Sequence, residues 1–211
     1  MTLNPTPALL ENLYWITLFA VIVSAASGVL KAGFRKFDLF GMMIIGVTTG
    51  LGGGSLRDML LNEDVFWIND QAFFIAALGS AFLMFIVARR YVIPPRFFLI
   101  PDAAGLATFS VAGTLLSLML GAPWLVASFM GVMTGIMGGV FRDILCNETP
   151  IVFQSQLYGT VSWLGSLFFI GLLYFDVDAA IAAVSTGLLI FIGRLLALHY
   201  NISLPKFRFK S

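Results

Sequence analysis

The sequence predicts an all-α integral membrane protein of seven transmembrane helices, six of them forming two three-helix repeats that cross the membrane in opposite senses. Three observations carry that prediction. Of 211 residues, 59% are hydrophobic and 11% charged, with a mean hydropathy of +0.96. Apolar runs near the length needed to cross a bilayer, about 18 residues or more, recur at regular spacing. A polar motif set inside those runs occurs twice, at a fixed offset.

A soluble domain carries about 25% charged residues. The 11% available here cannot coat a 23.0 kDa globule, so lipid is the natural solvent. A net charge of +1 excludes the concentrated basic face that nucleic acid requires. With Cys146 as the single cysteine and His199 as the single histidine, no intramolecular disulfide, Cys-cluster metal site or His-based catalytic set is expected. Cys146 reads as a small apolar residue near a helix end, and His199 as interfacial. Glu11 precedes the first apolar run where a secretory leader would place basic residues, so that run is read as a helix of the mature fold.

The runs place helices at roughly 10–31, 38–60, 71–90, 97–120, 123–145, 156–175 and 178–199. Polar or Pro-containing punctuation separates them, at 31–38, 62–70, 89–96, 121–123, 147–156 and 176–178. The runs are continuously apolar and do not alternate, which excludes a β-barrel. Seven crossings with the N-terminus outside put Lys31, Arg35, Lys36, Arg89, Arg90, Arg96, Arg142, Arg194, Lys206, Arg208 and Lys210 on the cytoplasmic side. Arg57 alone falls at the opposite end. Trp15, Trp67, Trp124 and Trp163 lie mostly near helix ends, as membrane-belt residues do.

Residues 46–63, GVTTGLGGGSLRDMLLNE, match residues 131–148, GVMTGIMGGVFRDILCNE, at an offset of 85. Chance likeness between apolar segments would pair Leu, Val and Ala; here Arg57–Asp58 meets Arg142–Asp143 and Asn62–Glu63 meets Asn147–Glu148. Each unit holds three helices, an odd number, so the second copy enters upside down about a pseudo-two-fold axis in the membrane plane. The expected organisation is 1–92 for the first repeat, 93–177 for the inverted second, and 178–211 for a seventh helix with a basic tail. Transporters and channels use this architecture, with the pathway at the repeat interface.

Each repeat carries Gly-x-x-Gly-Gly-x-x-Arg-Asp in its middle helix. At 100° per residue, Gly46, Gly50, Gly53 and Arg57 share a stripe, as do Gly131, Gly135, Gly138 and Arg142. Two consecutive glycines cost roughly 1 kcal/mol each in helix propensity, so the helix is expected to bend or open at Gly53–Gly54 and Gly138–Gly139. The competing reading is close small-residue packing. The Arg–Asp pairs have two readings as well: an ion pair pinning a helix end, or a paired constriction on an ion pathway. Asp102, just inside the fourth helix after Pro101, either caps that helix, the simpler reading, or lines a vestibule. Its repeat partner is Thr17. Thr49 and Thr134 bond back to their own helices or offer hydroxyls to an ion.

On these motifs the sequence resembles the prokaryotic branch of the trimeric intracellular cation (TRIC) channel family, a group that also carries a glycine-transporter label. The resemblance covers nearly the whole chain. It implies a homotrimer in a prokaryotic cell membrane, with one pore per protomer conducting K⁺ and Na⁺. It also implies breaks in the second and fifth helices at Gly50–Gly54 and Gly135–Gly139, flanked by Arg57–Asp58 and Arg142–Asp143. Self, monovalent cations and membrane lipids are the implied partners, without a cofactor. The Lys-Glu-Val motif of the animal branch is absent from the sequence, so phosphoinositide regulation is not carried over. A passive monovalent cation channel is the expected function, with a secondary transporter of a small amino acid such as glycine as the alternative. No catalytic constellation appears.

Overall fold

A computed structural model describes residues 6–35, 37–154 and 157–205. The chain is helical almost throughout: α1 Pro7–Ala32, α2 Leu39–Leu60, α3 Phe66–Asn69, α4 Gln71–Arg90, α5 Leu99–Met119, α6 Trp124–Leu145, α7 Gly159–Tyr174 and α8 Ala179–His199. A 3-10 turn at Ile151–Phe153 precedes α7. Among the described residues, six helices are long and apolar enough to cross a membrane, and α7, with 16 residues, is a shorter apolar helix. The short α3 and the 3-10 turn fall in stretches read above as loops. Lys36, Lys206, Arg208 and Lys210 lie outside the described residues.

Local chemistry sets the helix starts. The Asp38 carboxylate accepts from the Gly41 N–H at 2.8 Å, Asp70 from Ala72 at 2.9 Å, and Asp178 from Ala180 at 3.0 Å, each closing an N-terminus. Two of the ends are set by left-handed asparagines one residue past the cap, Asn62 at φ 57° and Asn147 at φ 55°. Glu63 N–H then reaches back to the Asp58 carbonyl at 2.9 Å, and Glu148 N–H to Asp143 at 2.9 Å, a Schellman closure in both repeats. Asn tolerates this conformation because its short polar side chain bonds locally.

Packing follows the same duplication. α1 packs on α2 and α4, and α5 packs on α6 and α7 in the same way. The two halves join through α1 against α5 and α2 against α6, while α8 lies against α5 and α7. Lipid is as apolar as leucine, so burial of apolar area does not drive this assembly; close van der Waals fit does. Small side chains accordingly fill the interior: Ala20, Ala25, Ala77, Ala81, Ala103 and Ala127 are fully buried. Large apolar residues point outward instead, including Trp15, Ile75, Leu83, Leu164, Ile181 and Leu188.

Candidate functional site

The middle of the bundle is the crossing of α2 and α6. A Cβ added at Gly53 would fall into the Thr134 carbonyl oxygen, and one at Gly138 into the Thr49 carbonyl oxygen. The contact is reciprocal, as the pseudo-two-fold axis requires. Gly50 and Gly135 do the same toward α1 and α5: their added Cβ atoms would lie 2.9 Å from the Val21 carbonyl and 3.0 Å from that of Leu106. Val21 and Leu106 are again 85 residues apart.

This packing overturns the expected helix breaks. α2 and α6 are α-helical from end to end, through Gly50–Gly54 and Gly135–Gly139. The glycines act by lacking side chains and not by unwinding: removing Cβ lets two backbones touch, and that fit offsets the propensity cost. Thr49 and Thr134 donate to the Ile45 and Met130 carbonyls at 2.6 and 2.7 Å, the back-bonded reading.

At the far end of each middle helix sits an arginine almost sealed from solvent. Arg57 and Asp58 are each 2% exposed, and Arg142 and Asp143 are 0% and 1%. Arg57 Nε donates to Asp58 Oδ1 at 2.8 Å, and Arg142 Nε to Asp143 Oδ1 at 2.8 Å. The second carboxylate oxygen holds the next turn: Asp58 Oδ2 accepts from Phe66 N–H at 3.0 Å, and Asp143 Oδ2 from Ile151 N–H at 2.9 Å. Each Arg–Asp pair is therefore a latch that fastens the helix end to the following turn.

Beyond this shared latch the repeats diverge. Arg142 Nη1 also donates to Asp102 Oδ1 at 2.6 Å and to Ser27 Oγ at 3.0 Å. Asp102 occupies the first turn of α5 but makes no capping bond, so the cap reading is corrected: the carboxylate turns inward to the arginine. The arginine won because a buried carboxylate gains more from a bidentate-capable cation than from a backbone amide. At the Arg57 end the position of Asp102 belongs to Thr17, and among the described residues Asp58 is the one carboxylate paired with Arg57. The Arg142 end also gains an outer tie. Glu148 accepts from Lys31 at 2.5 Å and Arg35 at 2.8 Å, while Lys31 and Arg142 both lie over the Phe98 ring. The Lys31 hydrogen bond, with help from Arg35, holds the Glu148 carboxyl below its ordinary range against an opposing effect of partial burial.

Between the crossing and the Arg142 latch lies a narrow polar cavity with a free volume of about 10 Å³. It is lined by Ser24 and Ser27 of α1, Thr49 of α2, Asp102 of α5, Thr134, Gly135, Gly138 and Gly139 of α6, and Tyr158. Its free centre takes about one water-sized body. Asp102 Oδ2 is buried there without a hydrogen-bond partner. Thus Thr49, Thr134, Gly135, Gly138, Gly139 and Asp102 meet around one space, whereas Gly50, Gly53 and Gly54 do not line it. Gly54 instead packs under the Phe66 ring, 2.6 Å from an added Cβ. Ser24, Ser27 and Tyr158 were not singled out from the sequence. Small hydroxyls in an apolar helix were the available signal for the serines; Tyr158 gave none, falling in the first turn of the helix expected over 156–175. Among the described residues no group of three or more His, Cys, Asp or Glu gathers as a metal would need.

Comparison with known proteins follows the same duplication. A family model described as "Glycine transporter" matches twice, over residues 14–89 and 99–174. The inner membrane protein YadS of Escherichia coli (strain K12) is 34% identical over 197 residues, 92% of this chain and 95% of that one. A membrane protein of Vibrio cholerae is 38% identical over 203 residues, 92% of this chain and 82% of that one. Among solved structures, the TRIC trimeric intracellular cation channel orthologue from Rhodobacter sphaeroides superposes with a TM-score of 0.86 at 32% identity, covering 90% of this chain and 98% of that one. A prokaryotic TRIC channel crystallised in 0.5 M KCl gives 0.83 at 26% identity, covering 91% and 98%.

Proposed function

The chain belongs to the glycine-transporter family, the group that holds the TRIC channels, and from that membership and the geometry above we propose a passive channel for K⁺ and Na⁺ with one pathway in each protomer of a homotrimer. A cation channel is the reading its solved relatives support, and those relatives are named for conduction and not for a reaction. The carrying observation is the unpartnered Asp102 Oδ2 on a hydroxyl- and backbone-lined cavity where the two repeats meet. Arg142 answers one oxygen of that carboxylate, and the other, desolvated, gains from a further visitor that is positive or donates a hydrogen bond. Ser24, Ser27, Thr49 and Thr134 supply neutral oxygens around it, a ligand set suited to a weakly held monovalent ion. The pathway runs along the α2–α6 crossing, with the Arg57 and Arg142 latches near its two mouths. Relatives reside in bacterial inner membranes. In such a membrane the distribution of Lys and Arg favours an outer N-terminus and a cytoplasmic C-terminus.

Transport of a small amino acid is the second reading, favoured by the family's description. The free space at the crossing admits a water-sized body, which suits a stripped cation better than a zwitterion. Single-channel recording of the purified protein in planar bilayers under an asymmetric KCl gradient separates the two. Discrete currents reversing near the K⁺ potential are expected. Silence, with saturable glycine uptake into liposomes, would overturn the channel.

A further inference from the structure

Arg194 was read from the sequence as one more positive charge near the inner surface. In the structure it is 0% exposed, inside the bundle on α8, the helix that belongs to neither repeat. Its Nη1 donates to the Leu157 carbonyl at 2.9 Å, and its guanidinium stands 4.6 Å over the ring of Tyr158, a residue lining the cavity. Nε and Nη2 are buried without partners. Among the described residues no carboxylate pairs with it.

The charges at the two mouths explain why a lone cation is kept there. At the Arg57 mouth one arginine meets one aspartate and the account is neutral. At the Arg142 mouth one arginine meets two, Asp102 and Asp143, leaving one negative charge over among the buried groups, while the outer Glu148 is matched by Lys31 and Arg35 nearer solvent. The tips of Tyr158, Arg142 and Asp102 converge on Gly139, lying 3.4, 3.6 and 3.7 Å from a Cβ built there. Arg194 stands over the ring of that tyrosine, and its charge brings the buried set to neutrality.

Resting on the channel reading, we propose that Arg194 is a positioning residue that sets cation throughput: from over the Tyr158 ring it cancels the surplus negative charge at the Asp102 mouth. The pathway thereby draws fewer cations from dilute salt than the bare acids would, and conducts less there. The pull of that surplus charge on ions entering the mouth from solution weakens as salt is added, a signature that a packing role lacks.

The test compares wild type, R194Q and R194K in planar bilayers with asymmetric KCl. Wild-type silence would sink the channel reading itself, separately from this one. With wild type conducting, R194Q is expected to raise unitary conductance roughly threefold in dilute KCl, the Boltzmann factor of one charge a few ångströms from a wet path. Its reversal potential should move closer to that of K⁺. Both differences should shrink toward 1 M KCl, as the dense ions at the mouth screen the charge and fill the pathway. A defect in packing would persist at high salt, and that persistence, or equal conductance at low salt, would overturn the proposal. R194K keeps the charge at neutral pH and serves where R194Q does not fold. Facing that lysine are Tyr158 and, beyond it, Asp102 of α5. Its conductance should match wild type at neutral pH and rise on alkalinisation as the ammonium is lost. Wild type, which shares Tyr158, should stay flat or change less; parallel curves would refute the idea.

Discussion

The two Arg–Asp latches are built alike and loaded differently. Arg57 and Arg142 each sit at the end of a middle helix, each bonded to the following aspartate, and each aspartate pins a following turn. Only the second carries a further acid, Asp102, together with a hydroxyl from Ser27 and an outer tie through Glu148. The shared part is what any helix end needs to close, and the repeat preserves it at both ends. The added part is where the molecule departs from its own symmetry, and it coincides with the polar cavity. Divergence between copies is therefore a sharper pointer to the polar cavity, and so to the proposed pathway, than the duplicated motif.

Arginine removal should break the two ends unequally. Arg142→Ala strands two buried carboxylates and Arg57→Ala one; losing one partner of a buried pair costs about 3–5 kcal/mol. Thermal unfolding of the purified variants should show the Arg142 variant as the less stable of the two, and equal losses would erase the distinction drawn here. For Arg57→Ala, open probability should change more than reversal potential. Glycine substitution probes where the repeats agree. Gly53→Ala and Gly138→Ala meet the same obstacle, a carbonyl of the opposite repeat, and should lose stability alike, by about 1–3 kcal/mol from overpacking. Gly79→Ala, with open space around its Cβ, should be neutral or mildly stabilising. A large difference between the first two would show that the crossing is not reciprocal.

Acid should discriminate the ends most gently. Because the folded state holds the Glu148 carboxyl below its ordinary range, its contribution is complete above the unfolded pKa and lost as pH falls through the lowered folded value. Unfolding temperature should therefore decline on acidification in that window by a small amount, since ion pairs with access to water contribute about 1 kcal/mol or less. Glu148→Gln should flatten that decline, whereas Glu63→Gln, at the exposed equivalent, should leave it unchanged.

Apolar run length and the 85-residue offset made most of the fold legible in the sequence, because a bilayer imposes both length and continuity. The spans 39–60, 71–90 and 124–145 lie within a residue of expectation. The Arg–Asp latches were legible as one of two readings. What the sequence concealed depends on which neighbour a residue meets. The glycine pairs read as weak points because propensity describes an isolated helix, and a crossing partner is invisible to it. Asp102 read as a cap because Pro101 suggests a helix start; its true partner stands 40 residues away. Arg194 read as a surface charge because basic residues near a span end usually are. Nothing local marks a cation that Tyr158 covers.

The placement of these charges along the chain also bears on biogenesis. Arg57–Asp58 and Arg142–Asp143 are neighbours in sequence, so α2 and α6 each emerge from the translocation machinery carrying their own counter-ion. Asp102 does not: α5 enters lipid with an acid whose partner is still to be synthesised on α6. Arg194 comes last of all, on a helix with no acid of its own between Ala179 and His199. Insertion of α5 is thus provisional until α6 arrives, and the polar centre reaches its final charge when α8 docks.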